Sequence, residues 1–373
     1  MNWLIWKQHR KMFVILSVVL VLYAALVIPT GLHFWHIYQH AKATCGQTNT
    51  CGNLSGELLQ SGWDNNLNPS LQGGGVNLVV LLILALPFLV GMFVGVPLIA
   101  REYNEGTNLL IWTRSISRRK WLTTKLAWTI VVTAIFAGAI AALTTWWSKT
   151  GNTLYVNRFD TVKFDLQGIA PVAYAIFAVS VGIALGAWLK RIMVAIGLTL
   201  TLFLATQILI GSFLRPHYMT PWAFNAPVVQ QSTSGPEGGD PLSAQAPSNS
   251  GASWVVSGSL VSKTGQPISW SSPPQSCIVT HPDDGGNAPS GPHSASAEVV
   301  SSKNGAVRDS ILSRNGGPAV DLDCLGTIGY HWTTKYQPAY RYWDFQRIEA
   351  GLYLTLSLIP ISVTYWLVLR RDA

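Results

Sequence analysis

Apolar residues in this chain collect in six long runs, at 12–32, 76–100, 126–147, 169–189, 192–214 and 348–369. Each is long enough to cross roughly 30 Å of hydrocarbon at about 1.5 Å per helical residue. Lys190 and Arg191 alone separate the fourth run from the fifth, which predicts a tight hairpin there. Elsewhere the chain changes character. Residues 101–125 are basic and punctuated by Trp, while 225–320 is rich in Gly, Ser, Pro and Asn, with short β-like runs at Ser253–Val261, Cys277–Thr280 and Ala297–Ser301. The pattern predicts an all-α polytopic membrane protein with spans one to five over 12–214, a small β/loop-rich exoplasmic domain at 215–347, and a sixth span with its tail at 348–373. Ahead of the first span, Trp3, Leu4, Ile5 and Trp6 precede Lys7, Arg10 and Lys11. Residues 1–11 therefore read as an interfacial helix on the inner leaflet, with a short frayed tail as the alternative.

Composition agrees with this pattern: the chain is 49% hydrophobic and 11% charged, which excludes an ordinary soluble domain. Charge adds orientation. Residues 1–11, 101–125, 190–191 and 370–373 hold 13 Lys or Arg in 42 positions, against 12 in the 197 positions of 33–75, 148–168 and 215–347. The short loops carry the excess, so both termini of a multi-pass membrane protein are expected in the cytoplasm. The net charge of +8 then needs no nucleic acid, and no basic patch interleaved with aromatics argues for one. The first run is longer than a signal core and no small-residue cleavage site follows closely, so it is expected to be a retained span.

All four cysteines, Cys45, Cys51, Cys277 and Cys324, fall on the expected outer side, where disulfides form. Of three possible pairings, Cys45–Cys51 and Cys277–Cys324 keep each bridge within one loop; a zinc site competes, but its usual spacings are absent. His33, His36 and His40 share one face beyond the first span and read as interfacial polar residues rather than a metal site. There is no G-x-x-x-x-G-K-S/T phosphate loop, H-E-x-x-H or G-x-S-x-G motif, so no cofactor, metal or catalytic constellation is expected on this chain. The middles of the spans lack acidic residues, against a carrier driven by protons or sodium. Thr206 and Gln207 in the fifth run and Ser180 in the fourth either line a path or bond between helices. Gly91-x-x-x-Gly95 and Gly182-x-x-x-Gly186 permit close helix approach within the chain.

In the 101–125 stretch, Gly106 permits a turn and Thr107 can cap a short helix carrying Leu109–Trp112, followed by Arg114, Arg118, Arg119 and Lys120. Such a helix, lying along the membrane, either takes force from a soluble partner or anchors to anionic lipid. The run from Ala100 to Lys125 resembles the loop between spans two and three of bacterial ATP-binding-cassette (ABC) exporter permeases. Arg101, Glu102, Glu105, Gly106, Thr107, Trp112, Thr113, Ser115, Ser117, Arg118, Trp121 and Lys125 match its pattern, while Arg114 stands where Gln is frequent. Residues 336–351 resemble the approach to the last span, through Pro338, Arg341, Trp343, Phe345, Gln346 and Glu349, and residues 6–10 resemble the start. The resemblance leaves 225–320 uncovered.

The resemblance implies a six-span, type V exporter half that pairs with a second permease copy, as a homodimer. Each half docks on an ABC ATPase subunit, two copies in all, with ATP and Mg bound to the ATPase. Arg101, Glu102, Glu105, Gly106, Thr107, Trp112, Arg114 and Arg118 are the implied coupling residues, and residues 76–100 and 192–214 the implied path. The expected cargo is amphipathic or hydrophobic: a drug, antibiotic, peptide or lipid. Glu349 lies just inside the sixth run on the face of Arg341 and Phe345, and Arg215 ends the fifth at the same depth. They either pair as an outer gate or Glu349 is a solvated interfacial carboxylate. The rival classes are a membrane-embedded sensor whose outer domain binds a ligand, and a membrane enzyme, which the missing catalytic groups disfavour.

Overall fold

The computed structural model describes residues 2–45, 94–98, 100, 117–152, 158–159, 161–189, 191–227, 253–268, 274–278, 311–312 and 320–371. They form two compact units, Met1–Met219 with Tyr340–Ala373, and Thr220–Ala339. The first is helical. It comprises α1 (Asn2–Cys45), α2 (Arg118–Asn152), the short α3 (Thr161–Leu166), α4 (Ala170–Leu189), α5 (Ile192–Leu209) and α7 (Tyr342–Trp366). Five helices among the described residues are long and apolar enough to cross a membrane. The second expected span, 76–100, lies outside the described residues except for helical positions 94–98 and 100.

Three boundaries differ from those expected from sequence. Residues 2–45 form one helix of 44 residues, so 1–11 is not a separate interfacial element. Nothing between Trp3 and Phe13 breaks a helix, and at about 1.5 Å per residue α1 is roughly 66 Å long and outruns the hydrocarbon at both ends. Likewise α2 begins at Arg118 rather than near 126, with the Lys120 N–H donating to Ser117 Oγ at 3.4 Å. The segment 118–125 is therefore the first two turns of α2. Trp121 is buried there in a cluster that includes Leu16, Leu122 and Leu367, with Lys125 Nζ 4.7 Å from the centre of its ring. Finally, the helical unit extends to Met219 and resumes at Tyr340, so it includes both ends of the expected outer domain.

Helix α4 is the centre of this unit: 16 of its 20 residues are buried, whereas α1 and α5 turn Val21, Leu22, Ile208 and Leu209 outward. Lipid tails are as apolar as these side chains, so outward exposure costs nothing in a bilayer, and contact between helices depends on shape and polar bonds. Shape is evident at two glycines. A Cβ on Gly95 would stand 2.6 Å from the Val179 carbonyl oxygen, and one on Gly186 would stand 2.6 Å from that of Val96. Residues 94–98 and α4 thus meet with their backbones in close contact. Between α1 and α2 the bonds are polar: Tyr23 and Thr144 hydroxyls lie 2.7 Å apart, and Trp147 Nε1 donates to Thr30 Oγ1 at 3.2 Å.

The second unit contains β1 (Trp222–Pro227), β2 (Trp254–Val261), the two-residue strands β3 (Ile311–Leu312) and β4 (Val320–Asp321), α6 (Leu322–Thr327) and β5 (His331–Gln337). Strands β1, β5 and β2 form an antiparallel sheet in that order, with Phe224 opposite Thr334 and Leu260 opposite Trp332. Its small core gathers Leu260, Leu325, Ile268 and Trp332 around a Cys277–Cys324 disulfide whose Cα atoms are 5.5 Å apart.

A buried charge network as candidate functional site

Four elements of the helical unit bring charged or polar side chains to one buried point. The first is α3, which turns Phe164 and Asp165 inward and leaves Thr161 exposed. Its exit requires Gly168, which has φ +77°, and whose Cβ, if present, would stand 2.7 Å from Gln346 Oε1. That oxygen accepts the Ile169 and Ala170 N–H groups at 3.1 and 2.9 Å, which satisfies two orphan donors at the start of α4. Gln346 Nε2 in turn donates to the Phe164 carbonyl at 3.0 Å. One buried glutamine thus fastens α7 to both α3 and α4.

Helix α5 does not end regularly. Its last turns widen into a π segment, Ile210–Leu214, and then tighten into a 3-10 turn, Arg215–His217. The extra residue of a π turn rotates the next side chains around the helix axis. Here it precedes Arg215, whose side chain is 2% exposed and lies with its guanidinium carbon 4.2 Å from the centre of the Phe164 ring. On α7, Gln346, Glu349 and Tyr353 recur at i, i+3 and i+7 and share one buried face.

The contacts converge on the guanidinium. Arg215 Nε donates to Glu349 Oε2 at 2.9 Å, and Nη2 donates to Glu349 Oε1 at 2.6 Å and to Asp165 Oδ1 at 2.5 Å. Tyr174 OH donates to Glu349 Oε1 at 2.5 Å and stands 3.2 Å from Asp165 Oδ1. Gln207 Nε2 donates to Asp165 Oδ2 at 3.0 Å, and its own Oε1 accepts from Tyr353 OH at 2.6 Å. Glu349 is fully buried and Asp165 only 7% exposed, so Glu349 is not the solvated interfacial carboxylate that was one expectation.

One guanidinium faces two carboxylates, leaving a formal charge of −1 out of reach of water. Burial raises the Asp165 carboxyl above the ordinary range; Arg215 pulls the other way, and Glu349 adds to the rise. Nothing in the cluster is a positioned nucleophile. Its chemistry is mechanical: it ties α3, α4, α5 and α7 together at one end of the bundle through bonds that cannot be exchanged for water without opening it.

Of the other residues expected to act in transport, Gln207 joins the network, whereas Thr206 Oγ1 donates to the Leu202 carbonyl of its own helix at 2.8 Å. Ser180 does the same toward Ile176 at 2.7 Å. Arg118 is the first residue of α2. Arg101, Glu102, Glu105, Gly106, Thr107, Trp112 and Arg114 lie outside the described residues, as does Cys51 of the expected Cys45–Cys51 bridge. Among the described residues, no group of three or more His, Cys, Asp or Glu is placed to hold a metal ion. Sequence reasoning missed Asp165, Tyr174, Tyr353 and the bonding of Gln346. The available signal was a carboxylate four residues ahead of an apolar run, at the same end of the bundle as Arg215.

Five apolar helices of membrane-crossing length among the described residues give the chain the build of a multi-pass membrane protein. The chain belongs to the family described as ABC-2 membrane transporter related, whose profile matches residues 17–215. That range includes Asp165, Tyr174, Gln207 and Arg215 and stops before Glu349. Members of this family are permease components of ABC transporters, generally non-enzymatic, and typically work with an ATPase partner. No curated protein and no solved structure matches the chain.

Proposed function

We propose that this chain is the transmembrane subunit of an ABC exporter, moving an amphipathic or hydrophobic compound such as a drug, antibiotic, peptide or lipid outward. The energy comes from ATP and Mg on a separate ATPase, and the chain itself binds no cofactor. The observation that carries this reading is the family match over residues 17–215, which contains the whole 101–125 stretch. In this reading the stretch seats an ATPase subunit beneath each of two permease copies in a homodimer. The Asp165–Arg215–Glu349 network is then the outer gate. Its bonds hold the ends of α4, α5 and α7 together, and parting them separates opposite charges, a step that requires driven motion.

The test is copurification with a co-expressed ABC ATPase, then transport in proteoliposomes. Charge reversal at Glu102 and Glu105 is expected to abolish copurification. Glu349→Gln is expected to leave copurification intact while lowering ATP-driven transport. If Glu349→Gln changes neither transport nor stability, the gate fails. If the wild-type chain alone moves solute uphill, the permease reading fails with it.

A second reading rests on the Thr220–Ala339 unit, which has its own sheet and disulfide: a membrane-embedded sensor that binds a ligand there. Ligand binding without any ATPase partner would favour it.

A further inference from the structure

Helix α2 carries an uninterrupted strip of small residues on one face, Gly138, Ala141 and Ala142, which continues through Thr145 and Trp146 to Lys149. These positions have the i, i+3, i+4, i+7, i+8, i+11 spacing of a single helical face. They form one wall of a cleft of about 640 Å³ whose other walls include Val172 of α4 and Trp343 of α7. This lies within the usual range of roughly 300–1,000 Å³ for ligand sites. From Gly138 to Lys149 the cleft runs about 16 Å along the helix axis.

The two ends of the cleft differ in chemistry. The floor at Gly138 and Ala142 is apolar and lies inside a membrane-spanning helix. The other end has two cations, Lys149 and Arg158, flanked by Trp146 and Trp343, each 44% exposed. Half-exposed Trp at the end of a span marks the membrane–water boundary. The Arg158 guanidinium carbon lies 5.9 Å from the centre of the Tyr342 ring. Among the described residues neither cation has a carboxylate within 4.0 Å, and Asp344, next to Trp343 in sequence, is bonded to Arg347 at 3.1 Å.

We propose that this cleft is a binding site for an anionic phospholipid. The phosphate sits between Lys149 and Arg158 at the boundary, and one acyl chain lies along the floor formed by Gly138, Ala141 and Ala142. A water-soluble anion would satisfy the cations but leave the apolar floor, about 6 Å from Gly138 to Ala142, empty at hydrocarbon depth. A neutral lipid would fill the floor and bring no charge to the two cations, which have no carboxylate within 4.0 Å among the described residues. An anionic amphiphile satisfies both. This assignment does not depend on the exporter reading.

The test is native mass spectrometry of the full-length protein in detergent, titrated with phosphatidylglycerol, phosphatidylcholine and inorganic phosphate. Two cations near the boundary predict a preference for phosphatidylglycerol over phosphatidylcholine of about 30-fold. Lys149→Gln with Arg158→Gln is expected to erase that preference, and Ala142→Phe, which fills the floor, to weaken both lipids. Because Arg158 stacks on Tyr342, Lys149→Gln alone serves as the milder variant, with an expected loss of about five-fold. Equal affinity for the two lipids overturns the proposal. So does an unchanged phosphatidylglycerol affinity in the Lys149→Gln variant, or displacement of the lipid by millimolar inorganic phosphate, which would make this a site for free anions.

Discussion

Replacing Arg215 by Met tests whether the buried network holds the helical unit together. Met matches the aliphatic part of Arg but donates nothing, so three bonds to carboxylate oxygens disappear at once, at Glu349 Oε1, Glu349 Oε2 and Asp165 Oδ1. Both carboxylates remain almost fully buried, at 0% and 7% exposure, with no cation. Removing one partner of a buried ion pair costs about 3–5 kcal/mol, mostly because the stranded charge cannot regain water. A Coulomb estimate at 4 Å with an effective dielectric constant of 20 gives about 4 kcal/mol, in agreement. The stranded Asp165 carboxyl, which burial already raises, can take up a proton, so the loss should be larger at pH 8 than at pH 5. The assay is reversible unfolding in mixed detergent micelles at both pH values. The triple variant Arg215→Met, Asp165→Asn, Glu349→Gln carries no buried charge and should recover most of the loss. A penalty below about 1 kcal/mol at pH 8, or a triple variant no more stable than the single, would refute the account, because both outcomes require solvated carboxylates.

Asp165 also sets a pH dependence. Its carboxyl is raised in the folded state, so the folded chain keeps a proton that the unfolded chain has released, and stability falls as pH rises from the ordinary carboxylate value through the raised one. Asp165→Asn should flatten that slope, read from unfolding midpoints between pH 4 and pH 8. Gly186→Val places a side chain where even a Cβ meets the Val96 carbonyl at 2.6 Å, and overpacking of this kind costs about 1–3 kcal/mol, measured by thermal unfolding in detergent. An unchanged midpoint would mean that the second span does not cross α4 there. Cys277→Ser with Cys324→Ser opens a loop spanning 47 positions, for which the chain-entropy relation gives about 4 kcal/mol. The expected result is protease sensitivity confined to Thr220–Ala339, with the helical unit's cleavage pattern unchanged.

The sequence by itself determined that the chain is a helical membrane protein and where most of its spans lie. The energetics of a bilayer reward uninterrupted apolar length, and that property is one-dimensional. It also set out the ends of the network: Arg215 and Glu349 are charges at the margins of apolar runs, where a charge is conspicuous, and their shared depth comes from counting residues. The Gly186 contact was legible in kind, since small residues four apart permit close approach, but its partner Val96 was not. What only the tertiary structure decided was the company these residues keep. Asp165 sits in a stretch between spans where a carboxylate is ordinarily solvated, and nothing local distinguishes it from one. Its burial depends on Gly168 turning the chain, on Gln346 fastening that turn from 177 positions away, and on a π segment turning Arg215 toward it. The resulting excess of negative charge, and with it the pH dependence, exists only where three chain segments meet. A one-dimensional pattern carries no record of that meeting.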